Sequence, residues 1–103
     1  MSERERMAKS LGASSKVMIL RNHGLLTLGA TVREAFELMY YLDCACQIQI
    51  DAMAGGLANV IEMSAGAADT ATEQFERDER PSAHKDWPAL LRLLERRGID
   101  YVG

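Results

Sequence analysis

The sequence lacks several features that would place it in a specialised class of protein. It has no apolar run near the roughly 20 residues that span a bilayer, which excludes a transmembrane helix. Lys and Arg number 12 against 15 Asp and Glu, and the resulting net charge of −3 argues against binding nucleic acid through its phosphates. The first six residues carry both charge signs and lead to no signal-peptide apolar stretch. These absences predict a cytoplasmic protein that binds neither nucleic acid nor a membrane.

Cysteine is also scarce, because only Cys44 and Cys46 occur. On a helix, residues two apart point about 200° away from each other, so these thiols can form neither a relaxed disulfide nor one metal site together. We expect two small and mostly buried hydrophobic side chains in a reducing compartment. The sequence also lacks a nucleophile elbow, a Walker loop, a G-x-G-x-x-G motif and internal repeats.

What the sequence does contain is enough apolar material for one core, since 48% of its 103 residues are hydrophobic. The pattern predicts a short helix over Glu3–Leu11 that ends at Gly12. Two apolar runs, Val17–Leu20 and Leu25–Leu28, follow as strands, the first of them buried on both faces. The link 21–24 is so short that an antiparallel pair is the simplest arrangement.

The strongest helix signal begins at Thr31. Thr31 and Glu34 form a T-x-x-E capping box, and the helix should run to about Ala54 before Gly55-Gly56 ends it. Its apolar sector is wide, which is typical of a helix packed on more than one side. The main apolar stripe comprises Phe36, Met39, Tyr40, Cys46, Ile50 and Met53.

Two further helices are predicted in the last third of the chain. A polar, Ala-rich and Glu-rich helix covers residues 67–79, and Arg80-Pro81-Ser82 interrupts the chain after it. The last helix begins near Asp86, which can cap it, and ends at Gly98. Its apolar positions at i, i+3, i+4 and i+7 are Trp87, Leu90, Leu91 and Leu94.

Few residues could carry chemistry. His84 lies in a polar loop and is expected to be solvated, and Tyr40 and Tyr41 are expected to pack in the core although their hydroxyls could serve a site. His23 lies between the two strands and precedes Gly24, where the missing Cβ lets a ligand approach the backbone. From the pattern alone, His23 is either a structural, hydrogen-bonded residue or part of a site. One histidine is not a zinc site, because zinc takes at least three protein ligands.

The stretch Val17–Gly29, with its Asn-His-Gly-Leu motif, resembles the C-terminal part of the class II aldolase/adducin family when read together with the helix start Thr31–Phe36. Neither segment is specific alone, but the pair is. Segments that continue the resemblance are Met39–Leu42, Ala45–Gln49, Gln74–Glu76 and Trp87–Arg92. The similarity begins near Glu3 and covers nearly the whole chain.

The resemblance implies an α/β fold: an α/β/α domain with a central, largely antiparallel sheet. This chain would contribute the short strand pair, the long helix and the C-terminal helices. In the family a divalent metal, usually zinc, is held by three histidines, polarises a substrate carbonyl and stabilises an enediolate. His23 matches the third histidine, whereas the H-x-H motif that supplies the other two is absent from this sequence. This chain is therefore expected to supply one of the three histidine ligands of the metal.

The resemblance further predicts that residues 1–103 are the C-terminal portion of a single domain that is truncated at its N-terminus. The predicted function is that of a domain fragment related to metal-dependent sugar-phosphate aldolases and epimerases, inactive alone. Its expected partners are a second copy or the missing N-terminal portion, with a small carbonyl or sugar-phosphate substrate in the complete protein. The alternative is a non-catalytic, cytoskeletal-type interaction module that oligomerises through its long helix. Residues 20–24 and 46–49 favour the adducin-like branch.

Overall fold

The computed structural model describes residues 1–77 and 85–103, and it confirms the mixed α/β class. The chain divides into two compact units, Met1–Val60 and Ile61–Gly103. The elements in chain order are α1 (Glu3–Leu11), β1 (Val17–Leu20), β2 (Gly24–Thr27), α2 (Val32–Met53), a 3₁₀ turn (Leu57–Asn59), α3 (Ala65–Arg77) and α4 (Asp86–Arg96). The predicted break at Arg80-Pro81-Ser82 and the predicted loop residue His84 lie outside the described residues.

Helix α1 has the predicted bounds, because both of its ends are encoded locally. Ser2 Oγ accepts a hydrogen bond from the Glu5 backbone N–H at 3.2 Å, and the Glu5 carboxylate accepts one from the Ser2 N–H at 2.7 Å. This reciprocal capping box satisfies two amides that a helix N-terminus otherwise leaves unpaired. At the other end Gly12 takes a φ of 72°, which only glycine adopts readily.

The two strands form the predicted antiparallel pair, with Val17 opposite Thr27 and Leu20 opposite Gly24. Strand β2 begins at Gly24 and ends at Thr27, one residue earlier at each end than predicted. The pairing nevertheless extends beyond β2, because the Leu28 N–H donates to the Lys16 carbonyl at 2.8 Å.

The prediction that β1 is buried on both faces was wrong. Along β1 exposed and half-buried residues alternate, and Ile19 keeps 67% of its surface exposed. Helix α2 lies against β2, where the Thr27 hydroxyl donates to the Ala35 carbonyl at 2.8 Å. Because residues opposite each other in a pair share a face, Val17 and Ile19 lie on the α2 side of the sheet. A continuous apolar run in the sequence does not show which face of the strand will be covered in the structure.

Helix α2 begins where predicted, but its capping differs in one respect. Thr31 Oγ1 accepts from the Glu34 backbone N–H at 3.1 Å, as a capping box requires. The Glu34 carboxylate then turns to the loop before the helix, where Oε2 accepts from the Ala30 N–H at 2.8 Å. Its Oε1 accepts from Lys16 Nζ at 2.8 Å. One carboxylate thereby links the residue before β1 to the start of α2.

The connection between β2 and α2 is tight at Gly29. A Cβ placed there would lie 2.6 Å from the Ala35 backbone nitrogen and 2.9 Å from the Glu34 Cβ. Real Cβ atoms essentially never approach other atoms this closely. The glycine therefore serves close packing of backbone against helix and not an unusual φ angle.

In the second unit, helix α3 begins at Ala65, two residues earlier than predicted, and Ser64 Oγ accepts from the Ala67 N–H. Asp86 was predicted to cap α4, but it is the first residue of the helix, and the capping position belongs to Lys85. The predicted end is confirmed, since Gly98 has a φ of 66° just after the last turn. The four predicted apolar positions of α4 are all half-buried.

No described residue is fully buried, so the described residues do not form the closed core that the composition allows. Cys44 and Cys46 are free thiols and half-buried, hence less covered than predicted. No helix within the described ranges is long and apolar enough to cross a membrane.

Candidate functional site

The turn between β1 and β2 carries the candidate site residue. The His23 backbone N–H donates to the Leu20 carbonyl at 3.1 Å and closes a four-residue turn. Asn22, at the third position of this turn, has a φ of 61°, which a type II turn requires and which asparagine tolerates better than most residues. The next residue, Gly24, has a φ of 142°, so the backbone after His23 also needs glycine. The result is a histidine held by its backbone with an exposed side chain.

The described residues do not fit a zinc ion on their own. Among residues 1–77 and 85–103, no group of three or more His, Cys, Asp or Glu side chains is placed to hold a metal. Zinc takes three protein ligands even in an open catalytic site, and His23 would be one. Among the described residues the structure therefore assembles no complete ligand set around the histidine that the sequence singled out, and His84 is outside the described residues.

The other residues with reactive side chains belong to α2 and not to the turn. Cys44 and Cys46 belong to α2 and are unpaired, as the i, i+2 spacing predicted. Tyr40 and Tyr41 were expected to pack in a core, but they are 58% and 51% exposed, and their rings contact each other edge to face at 5.5 Å. Each ring is therefore about half exposed, where the sequence predicted burial in a core.

Glu34 is an acid near the hairpin whose pKa is shifted. The hydrogen bond from Lys16, helped by the bond from the Ala30 N–H, holds the pKa of Glu34 below its ordinary value. A lowered pKa suits a permanently ionised structural group and not a proton-transferring base. The sequence predicted the capping role, but nothing in it signalled Lys16, which lies 18 residues away.

A broad apolar surface is the other feature that could carry function. The sequence predicted that α2 packs on more than one side, yet much of its apolar surface lies open. The apolar residues of α2 that are at least 40% exposed are Val32, Phe36, Tyr40, Tyr41, Ile48, Ile50 and Met53. The number of exposed apolar side chains makes α2 a candidate interaction surface.

Known proteins match this chain along most of its length. The family model described as the Class II Aldolase and Adducin N-terminal domain matches residues 1–50. Human beta-adducin is 35% identical over 109 residues, which cover 94% of this chain and 15% of beta-adducin. A candidate aldolase class 2 protein of Pseudomonas aeruginosa is 37% identical over 103 residues, which cover 96% of this chain and 39% of that protein. No solved structure matches the chain.

The chain thus spans well under half the length of these curated relatives. Beta-adducin and the P. aeruginosa protein match it at nearly the same identity, so the adducin-like branch stays a prediction. The hairpin, its Asn22-His23-Gly24 turn and the start of α2 all lie inside the matched residues 1–50. With the predicted motifs and the α/β elements in place, this chain belongs to the class II aldolase and adducin family.

Proposed function

We propose that this chain is part of a class II aldolase-type domain, that it supplies one metal ligand, His23, and that it has no lyase activity alone. The observation that supports this is the isolation of His23. The hairpin turn holds its backbone rigidly and presents the side chain to solvent, while no further pair of ligand side chains joins it within the described residues. A ligand so placed is suited to a site whose other members come from another segment or subunit.

The substrate class follows from the resemblance: a small carbonyl compound such as a sugar phosphate, bound by the complete domain. A zinc ion held by His23 and two further histidines would polarise that carbonyl. This chain's own part is to fix His23 through the Leu20–His23 turn and the backbone of Gly24.

The proposal is tested by measuring zinc binding by the chain alone and by the chain mixed with the rest of a relative's domain. The purified chain and His23→Ala are each dialysed against limiting Zn²⁺, and metal is measured per mole of protein alongside retro-aldol cleavage of ketose 1-phosphates. We expect neither protein to retain stoichiometric zinc or to cleave substrate. After addition of the part of the P. aeruginosa relative that lies outside the matched region, wild type should gain zinc and His23→Ala should not. Stoichiometric zinc or cleavage by the isolated wild-type chain would contradict the proposal.

A second candidate function is a non-catalytic interaction module that self-associates, of the kind that the adducin-like motifs suggested. Its support is the open apolar surface of α2 together with the absence of any fully buried residue in the described part of the chain. Sedimentation velocity between micromolar and hundreds of micromolar concentrations tests it. We expect the average mass to rise with concentration, and a monomer throughout that range would contradict this function.

A further inference from the structure

The β1–β2 hairpin is attached to α2 at one end and carries His23 at the other. At the attached end the Thr27 hydroxyl donates to the Ala35 carbonyl at 2.8 Å. At the same end Lys16 Nζ donates to the Glu34 carboxylate, also at 2.8 Å. These bonds lie at the base of the hairpin, away from the turn, so the base sets the direction in which the hairpin projects from α2.

The length of the hairpin magnifies any tilt at its base. Leu20 pairs with Gly24 at the turn and follows Lys16 by four residues, so the turn lies about 13 Å from the base at roughly 3.4 Å per residue. Residues 21–24 are all exposed, so the turn depends on the base for its direction. A functional side chain must be held within about 0.5 Å of its productive position. Over this length a tilt of only about 2° would move His23 by that distance.

The bond between Lys16 and Glu34 opposes such a tilt because it holds the second strand. The Thr27 hydroxyl, the loop 28–31 and the packing of α2 all hold β2, and a sheet held along one strand can still rock about that strand. Lys16 directly precedes β1. Since neighbouring strands lie about 4.8 Å apart, its bond to Glu34 adds a second line of attachment beside the first.

The Glu34 carboxylate is suited to this role because it is itself fixed. Its Oε2 accepts from the Ala30 N–H at 2.8 Å while Oε1 accepts from Lys16. The Glu34 side chain is only 19% exposed, against 55% for the side chain of Lys16. With both oxygens bonded, the carboxylate is held in the rotamer that receives the Lys16 ammonium group.

We propose that Glu34 is a positioning residue for the candidate site: through Lys16 it fixes the direction of the β1–β2 hairpin on α2, and thereby the place of His23. This inference rests on the function proposed above, in which another segment or subunit completes the site around His23. Because those other members come from elsewhere, this chain must already present the imidazole in the right place when they meet it.

Residual dipolar couplings of the backbone N–H groups measure the direction of the hairpin relative to α2 in the full chain. In wild type, the couplings of residues 17–27 and 32–53 should fit one alignment tensor, as those of a rigid body do. In Glu34→Ala and Lys16→Met, the degree of order of the hairpin should fall below half of that of α2. Lys16→Arg keeps the charge and the reach, so it should behave as wild type. The His23 N–H should stay protected from hydrogen exchange throughout, which shows that the hairpin itself remains formed.

Glu37→Ala is the matched control for Glu34→Ala. It breaks an ion pair of nearly the same length, 2.7 Å from Arg33, but both partners of that pair belong to α2. The control should therefore keep a single tensor. If Glu34→Ala fails to fold by circular dichroism, Lys16→Met decides, since Lys16 lies outside every described helix and strand.

Three results would overturn the positioning role: a single tensor in both Glu34→Ala and Lys16→Met, separate tensors in wild type, or equal loosening in Glu37→Ala. Loss of His23 N–H protection in the variants would also overturn it, because the pair would then support formation of the hairpin and not its direction. The couplings are measured without metal. Absence of zinc uptake by wild type in the mixture described above would thus refute the proposed function, while the couplings alone decide whether Glu34 directs the hairpin.

Discussion

Substitution of Gly29 by alanine should destabilise the first unit. The new methyl group would lie 2.6 Å from the Ala35 backbone nitrogen and 2.9–3.0 Å from Glu34 atoms. Two of the three nearest atoms belong to helix backbone, which cannot rotate away as a side chain can. Relief therefore requires the loop to move off α2, and such a movement stretches the hydrogen bonds that Glu34 and Thr27 make.

The expected change in the free energy of unfolding follows from two opposing effects. The φ of Gly29 is not positive, so alanine restricts the unfolded chain and contributes about 0.4–1 kcal/mol of stability. Forcing an extra methyl group into a filled site costs about 1–3 kcal/mol. The steric effect wins, and a net loss of about 1–2 kcal/mol should lower the Tm by roughly 5–10 °C for a chain of this size.

Gly55→Ala is the matched control, since Gly55 also lacks a positive φ and a Cβ added there would meet no atom within 4 Å. It should leave the Tm unchanged or raise it by a few degrees. Both variants and wild type are compared by thermal and urea unfolding monitored by circular dichroism at 222 nm. A Gly29→Ala chain as stable as Gly55→Ala would refute the close-packing argument.

Substitutions at three further positions probe the same region. The Lys16 hydrogen bond lowers the pKa of Glu34, so Glu34 stabilises the folded chain above its ordinary pKa of 4.5, and this contribution fades as pH falls through the lower folded value. Glu34→Gln should cost about 0.5–1 kcal/mol at pH 7 and less at pH 3, and an equal cost at both pH values in urea titrations would contradict this. Thr27→Val removes the bond to the Ala35 carbonyl and should cost about 0.5–1.5 kcal/mol, while Thr27→Ser should recover most of it. Asn22→Ala should lower the Tm because alanine disfavours a φ of 61°, Asn22→Gly should not, and equal Tm values would refute the turn assignment.

The helices and the hairpin of the first unit could be predicted because the residues that start or end them are neighbours in the sequence. The T-x-x-E sequence at Thr31 places the start of α2, Gly12 ends α1, and the short link 21–24 leaves little choice but an antiparallel hairpin. The same holds for His23, whose place at the turn follows from its neighbours Asn22 and Gly24.

Burial and long-range pairing could not be predicted, because they depend on which segments meet. The sequence pattern of β1 suits cover on both faces, yet Ile19 is open because α2 lies over β2 instead. Nothing near Glu34 in the sequence points to Lys16, and nothing around Gly29 reveals how closely the loop approaches Ala35. Tyr40 and Tyr41 were misplaced in a core for the same reason.

The bond between Lys16 and Glu34 also bears on how the chain folds during synthesis. It closes a segment of only 19 residues that contains the whole hairpin and the first turn of α2. Hairpins form in about 1–10 μs, whereas a ribosome adds roughly 5–20 residues per second, so this segment has ample time to fold as it emerges. We expect this segment to resist proteolysis before residues 61–103 have been made.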